Sequence, residues 1–223
     1  MTSFKNILAS AVLLATSFGV SAQGLQLSEN EKAMVAWVDA HQDEAIALLE
    51  KTVNIGSGTM NHAGVRAVGD VMAGELDALG LETRWIDMPK EMNRAGHLFA
   101  TKKGQGQRFL LIGHLDTVFE ADDDFQAFTR DGNIATGPGI ADMKDGNAVI
   151  VYALKALQHI GALDGIPITV AYTGDEEKSG RPLSISRRDL IEAGKWADIA
   201  LGFEGAITSE GFDWATVARR SSS

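Results

Sequence analysis

Apolar positions recur at helical spacing through the first third of the chain. Met34, Trp37 and Val38 follow Ser28-Glu29-Asn30-Glu31, a capping-box pattern that opens a helix. Ile46, Leu48, Leu49 and Val53 mark a second helix, broken by Asn54-Ile55-Gly56-Ser57-Gly58. Val65, Val68, Val71, Met72, Leu76 and Leu79 mark a third, with Gly80 placed to cap its C-terminus. The pattern then changes to short apolar runs bounded by turn residues. These predict strands over 81–88, 98–102 and 108–112, with Gly104-Gln105-Gly106 as a turn. A loop from 122 to 139 leads into a helix whose predicted apolar stripe is Val149, Tyr152, Ala153, Ala156, Leu157 and Ile160. Further strands are predicted over 166–172, 196–203 and 212–220, with a short helix over 184–193. Alternation of strands with helices predicts a layered α/β fold with a mostly parallel sheet. In such sheets ligands bind beyond the carboxyl ends of the strands, so chemistry is expected there.

Composition narrows the classes. The 223 residues suffice for one large domain, and 45% hydrophobic content supports a sizeable core. A net charge of -10 argues against nucleic acid and anionic membrane as partners. The chain has no cysteine, which excludes disulfides and thiolate metal sites. Any metal must therefore sit on His, Asp and Glu. Residues 1–22 have the form of a signal peptide: Lys5, an apolar run over 7–20, then Val20-Ser21-Ala22 before a cleavage point near Gln23. The run is short for the ~20 residues of a membrane span. Export to the periplasm or secretion is the expectation, with 23–223 as the mature chain.

Four strand and helix ends carry candidate chemistry. His114 and Asp116 close one strand, and Asp142 precedes a helix. Glu176 and Glu177 close a second strand, and Glu204 a third. Each alone has an ordinary reading. A His-x-Asp can be a hydrogen-bonded loop, a Glu-Glu pair a solvated turn, and Asp142 a helix cap. Together, on one rim of a parallel sheet, they form a His/Asp/Glu cluster. Several carboxylates at close range need a compensating cation. This donor set suits zinc, or a harder ion such as manganese or cobalt.

The segments GHLDTVF, GPGIADMKDGNAV, TGDEEKSG and LGFEGA, in this order, resemble the di-zinc exopeptidase family of glutamate carboxypeptidases, aminoacylases and succinyl-diaminopimelate desuccinylases. The likeness runs from about Leu25 onward and is nearest to the bacterial glutamate carboxypeptidases. It implies a three-layer zinc-exopeptidase (phosphorylase/hydrolase-like) catalytic domain. It also implies roles. His114, Asp142 and Glu204 would hold one zinc, and Asp142 and Glu177 a second, with Asp142 bridging. Asp116 would orient His114, and Glu176 would be the general base. The Asp142-Met143 peptide would be cis.

The implied reaction is hydrolysis of a peptide or N-acyl amide bond next to a C-terminal, glutamate-like amino acid. An N-acyl amino acid deacylase or desuccinylase is the alternative, because the same metal core serves both. The substrate class is a small peptide or N-acyl amino acid.

Two departures stand out. The family's second zinc takes a further histidine from late in the chain, whereas the five histidines here end at His159. The lid and dimerisation domain is also absent from the pattern. The expectation is therefore that 23–223 is the N-terminal part of the catalytic domain, and that a homodimer belongs to the complete protein. A non-catalytic, metal-binding remnant is the reading from another class. The second departure is Asp145, where many relatives carry glycine; an acid is favoured in the first turn of a helix.

Overall fold

A computed structural model describes residues 26–205. The expected signal peptide and the strand expected over 212–220 lie outside the described residues.

Three helices come first: α1 (Glu29–Ala40), α2 (Gln42–Val53) and α3 (His62–Ala78). The capping box forms at α1, where the Ser28 hydroxyl accepts from the Glu31 amide and the Glu31 carboxylate accepts from the Ser28 amide. Gly80 ends α3 at φ 76°, where the Leu81 amide reaches back to the Leu76 carbonyl at 3.1 Å. Strands β1 (Glu82–Asp87), β2 (Gly96–Lys102) and β3 (Phe109–His114) follow. The loop expected over 122–139 holds a small hairpin, β4 (Thr129–Asp131) and β5 (Ile134–Thr136). Its residues are largely exposed, so no apolar alternation announces it.

Next come α4 (Asp145–His159), β6 (Ile168–Thr173), α5 (Leu183–Ser186), α6 (Arg188–Trp196) and β7 (Ile199–Gly202). The single helix expected over 184–193 is thus two, parted at Arg187.

The main sheet has the order β1-β2-β6-β3-β7. β3 lies parallel to both β6 and β7, whereas β2 is antiparallel to β1 and β6. Four strands therefore share one direction and β2 alone runs against them. The larger core cluster covers one face, where Val68, Met72 and Leu76 of α3 and Ile150, Val151 and Leu154 of α4 meet Leu98, Leu111, Val170 and Tyr172 of the sheet. On the other face Phe99, Leu110 and Ala171 meet Leu190, Ala193 and Trp196 of α6. The result is three layers.

The buried face of α4 differs from the expected stripe. Val149 is 54% exposed and Ala153 is also exposed, while Ile150, Val151 and Leu154 are buried. The reason is that α4 is covered twice, by the sheet and by the α1–α2 hairpin. A reading for a single stripe finds part of the side turned to α1, where Tyr152 meets Trp37 with ring centroids 6.2 Å apart, and misses the side turned to the sheet.

Candidate metal centre

Parallel pairing brings the ends of β6, β3 and β7 to one rim. The register sets His114 opposite Thr173 and Ile112 opposite Gly202. Two residues further on, Glu204 reaches His114, its Oε2 3.7 Å from Nε2. His114 is 1% exposed. Its Nδ1 lies 2.9 Å from the main-chain carbonyl of Asp116. A carbonyl only accepts, so Nδ1 carries the proton and Nε2 presents its lone pair to the cleft when the ring is neutral. There Nε2 meets Asp142 Oδ1 at 2.9 Å.

The Asp116 carboxylate lies 3.5 Å from the same ring, but its close partners are elsewhere. It accepts from the Thr59 hydroxyl at 2.7 Å and from the amides of Glu176 and Glu177 at 3.0 and 3.2 Å. Orientation of His114 thus comes first from the main chain of Asp116. Its carboxylate ties the histidine strand to the Glu176-Glu177 loop.

Asp142 sits in a kinked turn, Ile140–Lys144, where Asp142 and Met143 leave helical geometry and their peptide is cis, as the family resemblance implies. Lys144, 2% exposed, fixes this turn from below: its Nζ donates to the carbonyls of Thr52 and Ile55 at 2.9 and 3.1 Å. Burial lowers the Lys144 ammonium to about 8. Asn147, one helical turn further on, donates to the His114 carbonyl at 2.6 Å. Asp145 occupies the first turn of α4, and its carboxylate accepts from the Gly146 amide at 2.6 Å. A Cβ on Gly146 would stand 2.1 Å from the Phe203 carbonyl, so α4 and the chain leading to Glu204 touch backbone to backbone.

The electrostatics favour a positive charge in the cleft. Burial alone would lower the His114 imidazole; the carboxylates of Asp116 and Glu204 beside it outweigh that and raise it to about 11. Burial pushes Glu177 up to about 7, and the like charge of Asp142 adds to the rise. Glu176 is also raised, by burial and by Glu204, Asp116 and Asp142, against the opposing pull of His114. Glu204 is lowered by the His114 imidazole beside it.

Donor atoms of His114, Asp142 and Glu204 all lie within 4.8 Å of one another, the one such group among the described residues. One imidazole nitrogen and two carboxylate oxygens fit a divalent metal, zinc included. Glu176 and Glu177 share the electrostatic field of this group without joining the three-donor set. A cavity of about 800 Å³ beside Arg108 and Trp196 contains none of these residues.

Thr59, Lys144 and Asn147 were not expected at this site; Lys144 is adjacent in sequence to Asp145, the only signal it offered. Thr59 lies 57 positions from Asp116 and offered none.

Residues 110–217 match the sequence pattern of peptidase family M20/M25/M40. Carboxypeptidase G2 of Pseudomonas sp. (strain RS-16) is 39% identical over 197 residues, which cover 87% of this chain and 46% of that protein. Human carnosine dipeptidase 1 superposes with a TM-score of 0.66 at 19% identity, covering 78% of this chain and 41% of that one. The M20 family metallo-carboxypeptidase Sso-CP2 of Sulfolobus solfataricus superposes with a TM-score of 0.60 at 18% identity, covering 76% and 39%. The chain thus spans less than half the length of each of these three. Residues 110–217 thus carry a peptidase M20 family domain.

Proposed function

We propose that this domain serves a zinc-dependent carboxypeptidase that hydrolyses a peptide or N-acyl amide bond next to a C-terminal, glutamate-like residue. The observation that carries this reading is the convergence of His114, Asp142 and Glu204 within 4.8 Å on the rim that also bears Glu176 and Glu177. The 39% identity to a protein named carboxypeptidase supports it. His114 Nε2 and the Asp142 and Glu204 carboxylates would hold one ion. Asp142 and Glu177 would begin a second position, for which the described residues add no third donor. Bound there, the metal supplies a Lewis acid that polarises the scissile carbonyl and lowers the pKa of a water.

The protein's own groups do the rest. Glu176 takes a proton from the attacking water on its carboxylate and returns it to the amine nitrogen as the C–N bond breaks. Asp116 fixes the Glu176 main chain by accepting a hydrogen bond from its amide at 3.0 Å and so sets where that carboxylate starts. Export to the periplasm, on the pattern of residues 1–22, completes the reading.

The test is hydrolysis of N-acyl glutamates by the zinc-loaded protein. Glu176→Gln should lower turnover by roughly 100- to 10,000-fold while zinc binding, followed by calorimetry, stays as in the wild type. Normal turnover by that variant would overturn the base assignment. Wild-type inactivity on every N-acyl amino acid would overturn the function.

A further inference from the structure

A second buried carboxylate lies beside the first. Asp175, 0% exposed, directly precedes Glu176 and does not face the metal cluster. Its Oδ1 accepts from Arg187 Nη1, and its Oδ2 accepts from the Gly180 amide at 2.7 Å. Arg187 does more than pair. Its Nη2 also donates to the Asp175 main-chain carbonyl at 3.0 Å and to Ser179 Oγ at 2.9 Å. Ser179 Oγ in turn donates to the Glu176 carbonyl at 3.4 Å.

The same loop is tied again behind. The His97 Nδ1 accepts from the Gly174 amide at 3.1 Å, so its proton is on Nε2, which donates to the Ser186 carbonyl at 2.8 Å. Ser186 Oγ closes the ring on the Gly180 carbonyl at 2.8 Å.

We infer that the pair of half-buried Arg187 and buried Asp175 is a positioning unit for Glu176, which holds the 175–179 loop at the geometry proton transfer requires. The inference rests on the carboxypeptidase reading for its activity arm only. Glu176 and Glu177 hang between two anchors. On one side their amides donate to Asp116, and on the other Arg187 grips the main chain of Asp175 and the hydroxyl that binds the Glu176 carbonyl. Removal of either anchor leaves a two-residue segment free to rotate its carboxylates. A fork with several donors is needed, because a single ammonium cannot reach a carboxylate, a carbonyl and a hydroxyl together.

The test uses Asp175→Asn and Arg187→Lys in the full chain, with Lys195→Ala as a surface control. Asp175→Asn should lower kcat on an N-acyl glutamate by about 100-fold, the scale of a small misplacement of a catalytic group. Arg187→Lys should lower it by about 10-fold, with KM and zinc affinity changed less than about threefold in both. Hydrogen exchange at the Glu176 and Glu177 amides should quicken in both variants and not in the control. Unchanged exchange and kcat would overturn the inference. So would a fall in zinc affinity that matches the fall in kcat, since that would make the pair a general support of the fold. Should the wild type hydrolyse no N-acyl amino acid, the function fails and exchange decides alone. Faster exchange with zinc affinity intact upholds the positioning role, and unchanged exchange removes it.

Discussion

Asp116 concentrates most of the site's order in one side chain. It is 1% exposed, and it receives a hydroxyl and two amides while standing 3.5 Å from an imidazole. Burial by itself would raise this carboxyl, but the His114 imidazole beside it and hydrogen bonds from Thr59 and the Glu176 amide hold it below its ordinary value. Asp116→Asn keeps the shape but replaces one acceptor with a donor. At least one partner is then left facing an N–H, at a cost of roughly 1–3 kcal/mol in urea unfolding. Zinc affinity should fall by about 10- to 100-fold, as for other groups that orient a metal-binding histidine. Calorimetry that finds affinity unaltered would show that the carboxylate is not needed to hold His114. In the sequence His114 and Glu204 stand out as polar residues at the ends of apolar runs, and Asp142 as an acid in the loop before a helix. Lys144 and Asn147 do not, since their partners lie 92 and 33 positions away and only the folded chain brings them together.

Among the elements, α4 decides how close Glu204 comes to Asp142. Gly146 lets the helix meet the Phe203 carbonyl directly. Gly146→Ala would gain up to about 1 kcal/mol from helix propensity alone, but its methyl would meet the Phe203 carbonyl and force that backbone to shift. The substitution should weaken zinc binding, because the added methyl pushes the end of β7 outward. Titration of both proteins with zinc checks this, and equal affinity would mean that the rim gives way elsewhere. The sheet was readable in its direction, since β1, β3, β6 and β7 all point the same way. The reversed β2 was not drawn from the pattern, although a clue existed. Only eight residues join β1 to β2, too few for the dozen or so that a parallel crossover needs. The α4 stripe was misread for a different reason. A helix buried on two sides carries two overlapping periodic signals, and the chain pattern does not say which one faces the sheet.

For the whole molecule, metal and folding are linked through mass action. An ion that binds the native arrangement and not the unfolded chain stabilises by about 2.7 kcal/mol at a hundredfold excess over Kd. For a chain of this size that corresponds to a rise in Tm of about 5–10 °C. Zinc should produce the rise, a chelator should reverse it, and Glu204→Ala should remove most of it. A wild-type Tm indifferent to zinc would mean that the three donors are an acidic cleft and no metal site. Among the described residues no helix is long and apolar enough to cross a membrane.

The three donors come from the end of β3, the turn before α4 and the end of β7. Among the described strands, β7 pairs on one side only, as the edge of the sheet. The chain contains no cysteine with which to fasten that edge. A cation shared by His114, Asp142 and Glu204 would act as a cross-link in the folded chain, joining the ends of two long loops at a single point only while it is bound. Stapling of the edge strand would then be reversible, set by the metal concentration around the protein and not by its redox surroundings.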